Sequence, residues 1–118
     1  MKISAIAIIA IGVPTMVQAG GFTSSCAQIF LGGTWINALC KNPSGVYVPA
    51  ARDLNAEIGN ANGLLVRHSS GYANSCKDCS LTTAGVFKCS CLRLNRYQAA
   101  SINLNNFLSN RGGDLVWD

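Results

Sequence analysis

Two stretches of this chain, Asp53 to Val66 (DLNAEIGNANGLLV) and Asn103 to Val116 (NLNNFLSNRGGDLV), are versions of one another under a constant shift of fifty residues. Leu54, Asn55, Asn60, Gly63, Leu65 and Val66 fall on Leu104, Asn105, Asn110, Gly113, Leu115 and Val116. Cys26 falls on Cys76 by the same shift, and Cys40 lands one residue short of Cys91. Two copies are too few for a solenoid, in which about three or more repeats bury a common core. They point to one domain with internal pseudo-twofold symmetry, its repeats spanning about 20–68 and 69–118. A site built by one copy then recurs in the other.

The first nineteen residues read as an export signal rather than as part of that domain. Lys2 supplies a positive n-region, Ile3 to Val13 an apolar h-region and Val17-Gln18-Ala19 a small-residue cleavage site. The apolar run is shorter than the roughly 20 residues of a membrane span, and no later stretch is long and apolar enough to cross a bilayer. Cleavage after Ala19 leaves Gly20 to Asp118, a single domain's worth of chain, and a secreted, extracellular product without membrane insertion. Nine Lys and Arg stand against five Asp and Glu, a formal net charge of +4; without Lys2 it is +3. The charges are scattered, with none of the clustered Lys and Arg that mark a nucleic-acid partner.

All six cysteines follow the signal. An even count in a short secreted chain reads as a disulfide framework, although six cysteines allow fifteen pairings. The duplication prunes these. Cys26–Cys40 and Cys76–Cys91 are the same bond made once per copy, each closing a loop of about fifteen residues that is worth roughly 3 kcal/mol. Cys79 and Cys89 are then nested inside the second loop, where a third bridge crosses the same hairpin. The rival reading is zinc, since Cys76-x2-Cys79 and Cys89-x-Cys91 supply four thiolates. An oxidising route, and first-copy counterparts for only two of the four, weigh against it.

Local signals favour short strands. The Ala, Leu, Glu and Lys runs of long helices are missing. Thr34 to Leu39 is rich in β-formers and follows the turn signal Gly32-Gly33. Val86 to Leu94 alternates, with Cys89 and Cys91 on one face and Lys88 and Ser90 on the other. Leu64 to Arg67 and Leu115 to Trp117 read as matching strands. Asn62-Gly63 suits a type I′ hairpin, where both central residues need positive φ. Leu54 to Ile58 and Leu104 to Leu108 read as one short helical turn each. The polar His68-Ser69-Ser70-Gly71 marks the repeat junction, as linker or hinge.

Catalytic chemistry has little to build on. His68 is the only histidine, and Ser69 and Ser70 are too close to it in sequence to form a triad, whose members come from separate segments. Asp53 and Glu57 are close in sequence, and Asp53 before a turn reads as its cap. Nothing resembles a calcium loop or a phosphate cradle. No enzyme, metal or cofactor is expected. Short polar side chains near turns (Ser24, Ser25, Asn42, Asn60, Asn62, Ser70, Asn74, Ser75, Asn110) suit the recognition of hydroxyl-rich ligands, although Asn, Ser and Gly also simply make turns.

From Phe22 to Asp118 the chain resembles the cyanovirin-N homology family of lectins. The resemblance is carried by the two cysteine pairs with thirty-five residues between Cys40 and Cys76, the duplicated DLN…NANGLLV and INLN…NRGGDLVW segments, and the closing Trp117-Asp118. It implies an elongated all-β fold of two intertwined repeats, each a three-stranded sheet plus a β-hairpin. It also implies up to two glycan sites at opposite ends, typically for mannose-type oligosaccharides on glycoproteins, with no metal or other cofactor.

Family contact positions carried over by residue form two clusters. Site 1, where the termini meet, comprises Gly21, Ser24, Ser25, Lys41, Pro43, Asn110, Arg111 and Gly112. Site 2 comprises Gly59, Asn60, Asn62, Ser70, Gly71, Asn74, Ser75, Leu92, Arg93, Leu94 and Arg96. Gly59 and Asn74 stand where the family pattern has glutamates, Asn62 and Gly112 where it has aspartates, and Leu94 where it has an arginine. Strong acceptors for sugar hydroxyls are thereby lost. Site 1 is favoured slightly for Ser24, Ser25 and Asn110, and Asn110→Ala is expected to weaken glycan binding with little change in melting temperature. Ser69 replaces a hinge proline, which points to a monomer rather than a domain-swapped dimer. The alternative reading is a secreted protein-interaction module on the same fold that has lost sugar binding.

Overall fold

The structure, a computed structural model, describes residues 20–118; the export signal read at residues 1–19 lies outside them. The first copy contributes β1 (Cys26–Gly32), β2 (Trp35–Lys41) and β3 (Tyr47–Asp53), then a hairpin of β4 (Ile58–Ala61) and β5 (Leu64–Arg67). The second repeats the pattern with β6 (Cys76–Leu81), β7 (Val86–Arg93), β8 (Arg96–Asn103), and the hairpin β9 (Leu108–Arg111) and β10 (Asp114–Trp117). Each copy is thus an antiparallel three-stranded sheet followed by a two-stranded hairpin, in a molecule extending 65 × 25 × 20 Å. The hairpins change places: β10 packs on β3 of the first sheet, and β5 on β8 of the second. This exchange is the intertwining, and it places residues of one copy in the site of the other.

The Asn62-Gly63 turn has the expected chemistry, and the Gly112-Gly113 turn of the second copy shares it. Asn62 and Gly63 have φ of 53° and 90°, and Gly112 and Gly113 have 65° and 97°, the double positive φ of the turn that matches strand twist. The predicted helical turns are single 3-10 turns at Leu54–Ala56 and Leu104–Asn106, capped by Asp53 and Asn103 side chains accepting from the N–H of Asn55 and Asn105. Two further 3-10 turns, Phe22–Ser24 and Tyr72–Asn74, follow left-handed glycines at 21 and 71; no helix-forming pattern in the sequence marks them.

The core is itself duplicated. Buried Phe22, Ile36, Ala50, Leu54, Ile58 and Leu65 face the same environments as buried Tyr72, Phe87, Ala100, Leu104, Leu108 and Leu115. Cys26–Cys40 and Cys76–Cys91 join the first strand of each sheet to its middle strand in equivalent register, Cα to Cα 4.0 Å in both. Cys79–Cys89 is the third bridge, and its positions in the first copy hold Ile29 and buried Ala38. One buried side chain breaks the pattern: Phe107 stands where the first copy has Glu57. Phe107 stacks on Trp117 at 5.8 Å and carries the Arg67 guanidinium 4.4 Å above its ring. Arg67 Nε lies 3.2 Å from Glu57 Oε2, and its Nη2 donates to the Asp118 carbonyl at 2.5 Å. The two hairpins are therefore joined by a contact that neither copy makes alone.

Candidate functional site

The two asparagines that the repeat aligns do the same work at opposite ends. Asn110 Nδ2 donates to Ser25 Oγ and to the Lys41 carbonyl, both at 2.9 Å, while Oδ1 accepts from the Gly113 N–H at 2.8 Å. Asn60 Nδ2 donates to Ser75 Oγ at 2.9 Å and to the Leu92 carbonyl at 3.0 Å, and Oδ1 accepts from the Gly63 N–H at 2.7 Å. Both amide protons and one acceptor position are occupied by protein. Each amide pins the hairpin of one copy to the sheet of the other. These side chains build the site's walls, so the expectation that Asn110→Ala leaves the melting temperature unchanged does not follow from this geometry.

Around Asn110 the pin draws together three turns that hold all of site 1. In the first, left-handed Gly21 opens the 3-10 turn and Ser24 Oγ donates to its carbonyl at 2.8 Å, leaving the hydroxyl lone pairs outward. Ser25 Oγ receives Asn110 and keeps its own proton to donate. In the second, between β2 and β3, Asn42 Oδ1 accepts from the N–H groups of Ser44 and Val46 at 3.0 Å each, so Pro43 is exposed at a braced tip. In the third, Gly113 is packed so that a Cβ would meet Val48 at 2.7 Å, while a Cβ on Gly112 would meet open space. Lys41 Nζ stands 5.5 Å from the Tyr47 ring centre.

Arg111 is turned to the chain end, its Nη2 2.5 Å from Asp118 Oδ1. The other Asp118 oxygen accepts from the Ser109 hydroxyl and from the Gly20 N–H at 2.6 Å. The Ser109 hydrogen bond, with Arg111 and Gly20, holds the Asp118 carboxyl down at about 2. Asp118 and Ser109 were not among the expected site residues; they close site 1 from behind without facing it.

Site 2 repeats the frame with different furniture. Gly71 opens its 3-10 turn, Ser75 receives Asn60, and Asn62 and Asn74 are exposed at the rim. Gly59 is buried beneath the repeat junction, where a Cβ would meet Ser69 Oγ at 2.2 Å and the Ser70 carbonyl at 2.9 Å, so it is floor rather than contact surface. The turn from β7 to β8 is shorter than its counterpart: Arg93 pairs with Arg96, leaving Leu94 and Asn95 at the tip, with Leu94 at φ 55° and 85 % exposed. Beside it lies a hollow of about 500 Å³ lined by Arg93, Leu94, Asn95, Arg96 and Gln98.

Asn95 and Gln98 escaped the sequence reading. Gln98 Nε2 donates to the Gly63 carbonyl at 3.0 Å, bracing the hairpin turn at the position that Val48 fills in the first copy, so the repeat marks the place but not the amide. The 500 Å³ hollow therefore lies at site 2, although the sequence slightly favoured site 1.

The Asp53 carboxylate accepts from Thr34 Oγ1 at 2.7 Å and from the Asn55 N–H at 3.0 Å, which commits it to its cap. His68 is largely exposed, its Nδ1 3.5 Å from Glu57 Oε2. Among the described residues no three His, Cys, Asp or Glu side chains come together as a metal site. What each end offers is a braced notch of hydroxyls, amides, backbone groups and guanidinium donors.

The family profile described as "CVNH domain" matches residues 22–117. Among solved structures, a variant of MoCVNH3 in complex with (N-GlcNAc)4 superposes with a TM-score of 0.81, over 86% of this chain and 99% of that one, at 18% identity. Microvirin in a mannobiose complex gives 0.74 over 84% and 99%, at 21% identity. TbCVNH of T. borchii gives 0.72 over 82% and 98%, at 28% identity.

Proposed function

The chain belongs to the CVNH domain family, and from that premise we propose that it is a secreted, non-catalytic lectin with one oligosaccharide site at each end. The observation that carries this reading is the notch built twice around Asn60 and Asn110. Each is rigid before any ligand arrives, which lowers the ordering cost of binding. Each presents short polar groups that donate and accept at fixed spacing, which is what a ring bearing several hydroxyls requires. The bound sugars in two structures of the same fold, an N-acetylglucosamine tetramer and mannobiose, support saccharide as the ligand class.

The two ends differ in preference. Site 1 offers the Ser24 and Ser25 hydroxyls and the bare backbone of Gly112. Site 2 adds Arg93 and Arg96 around its hollow, with no carboxylate in the lining. Site 2 therefore acts mainly as a donor towards sugar oxygens; mannose-type chains, the ligands that the resemblance implies, are the first to test there.

The test is a residue-resolved NMR titration of oxidised 20–118 with mannobiose, mannotetraose and the N-acetylglucosamine tetramer. Saturable shifts confined to Ser24, Ser25 and Gly112, or to Asn74 and Arg93 to Gln98, are expected. No saturable shift with any saccharide, the disulfides being intact by mass spectrometry, overturns the lectin reading in favour of protein binding. Export is tested separately: the mature protein recovered outside the cell should begin at Gly20.

A further inference from the structure

The duplication supplies an internal control. Where two copies share a core, a surface that differs between them reports something other than folding. The outer face of the first sheet differs most. On it the strand pattern presents Phe30 from β1, Trp35, Asn37 and Leu39 from β2, and Tyr47 and Pro49 from β3. Phe30 is 58% exposed, Trp35 48% and Tyr47 46%. The second sheet carries Ser80, Val86, Lys88 and Ser90 where the first has Phe30, Trp35, Asn37 and Leu39; only Tyr47 has an exposed aromatic counterpart, Tyr97, so the copies differ at Phe30 and Trp35. An exposed aromatic strip costs solubility and marks a binding surface more often than a folding need.

The strip has a shape and a direction. A hollow of about 210 Å³ sits on it between Gln28, Phe30, Asn37, Leu39 and Pro49, so aromatic surface and two side-chain amides converge. Asn37 Nδ2 donates to the Trp35 carbonyl at 3.1 Å, which leaves its oxygen outward. Gly32 lies on the same face with φ outside the left-handed region; a Cβ there would come 3.2 Å from Asn37 Nδ2 and 3.9 Å from Phe30. Its missing side chain therefore opens the floor, and the corresponding residue of the second copy is Thr82.

The register Lys41↔Tyr47, Leu39↔Pro49, Asn37↔Ala51, Trp35↔Asp53 makes the strip continuous with the Lys41 edge of site 1 and about 20 Å long at strand spacing. Between Lys41 and Asp53 no paired position on this face is charged, so the strip matches a neutral ligand.

We infer that this strip is an extended saccharide subsite, over which a neutral oligosaccharide bound at site 1 continues. The apolar C–H faces of its sugar rings lie on Phe30, Trp35 and Tyr47, and its hydroxyls reach the Gln28 and Asn37 amides. Flat aromatic side chains suit this because they give large contact area at small cost in conformational freedom. The inference rests on the lectin reading and adds a length requirement to it: short saccharides use site 1 alone, and longer ones gain the strip.

The test compares oxidised wild type with Phe30→Ser/Trp35→Val, which installs the residues of the second copy, using mannose and N-acetylglucosamine oligomers of two to six units in calorimetry. Wild type is expected to bind the longer oligomers about tenfold more tightly than the dimers. The variant is expected to lose that gain while keeping its dimer affinity. The Trp35 indole N–H signal in wild type, followed by NMR, should move with the longer oligomers and stay still with the dimers, a readout independent of how the variant folds. Equal affinities at all lengths with a stationary indole signal overturn the subsite and leave the lectin reading standing. No binding at any length overturns both. Self-association in sedimentation that the variant abolishes, with an indole signal indifferent to sugar, assigns the strip to a second copy of the chain and overturns the saccharide.

Discussion

Asn60 and Asn110 show how one side chain can be read twice. In the sequence they are repeated polar residues next to turns, suited to a sugar; in the fold each amide has three protein partners, two of them across the boundary between copies. Removing such an amide leaves the Gly63 or Gly113 N–H and a carbonyl without a partner, which costs roughly 1–3 kcal/mol. Asn60→Ala and Asn110→Ala are each expected to melt more than about 4 °C below wild type. Asn110→Asp, which keeps the acceptor for Gly113 and loses both donors, should fall between. Thermal unfolding by circular dichroism checks the order, and unchanged melting in Asn110→Ala would return that side chain to ligand contact. Type and spacing made these positions conspicuous in the sequence, but which way an amide faces depends on what the other copy places against it.

At the level of strands and turns, the third disulfide replaces packing with a covalent link. In both copies the first strand of the sheet bulges, at Gln28 (φ 51°) and at Asp78 (φ 54°). The next residue is Ile29 in one copy and Cys79 in the other. Its partner across the hairpin is Ala38 or Cys89. Since Cys79–Cys89 lies inside the loop already closed by Cys76–Cys91, it removes little further chain entropy; alone, a ten-residue loop would be worth nearly 3 kcal/mol. Cys79→Ile/Cys89→Ala, which copies the first repeat, is expected to fold and to melt lower by an amount equivalent to about 1 kcal/mol. Cys76→Ala/Cys91→Ala should lose more, because it opens the outer loop and leaves two cavities in the core. Differential scanning calorimetry of both variants distinguishes them. The pairing was legible because the duplication cut fifteen possibilities down; the bulge was not, since neither Gln28 nor Asp78 is a residue that advertises positive φ as glycine does.

Across the molecule, Asp118 ties Gly20, the first described residue, to Ser109 and Arg111 of the last hairpin. Asp118 is 10% exposed and its carboxyl is held at about 2, below its ordinary 3.8. A folded value below the unfolded one means that the ionised form favours folding. The contribution is complete at neutral pH and disappears as pH falls from near 4 through about 2. Asp118→Asn should therefore melt below wild type at pH 7, and the two should converge near pH 2; a constant gap across that range would remove the charge from the account.

The junction makes a second prediction. Ser69 N–H donates to the Glu57 carbonyl at 3.0 Å, a bond that a proline at 69 lacks. Wild type is expected to sediment as a monomer at micromolar concentration, and Ser69→Pro, which removes that bond and stiffens the junction, to shift towards an exchanged dimer.

Periodicity and duplication were enough to read short strands, the type I′ turn at Asn62-Gly63, the disulfide pairs and the short helical turns at Leu54 and Leu104, because each is a local pattern or a matched pair. They did not reveal that each hairpin crosses to the opposite sheet, that Arg67 bridges Glu57, Phe107 and Asp118, or that one sheet face exposes Phe30 and Trp35 where its twin has Ser80 and Val86. These features depend on which surfaces meet, and contacts between residues far apart in the chain leave no period in the sequence.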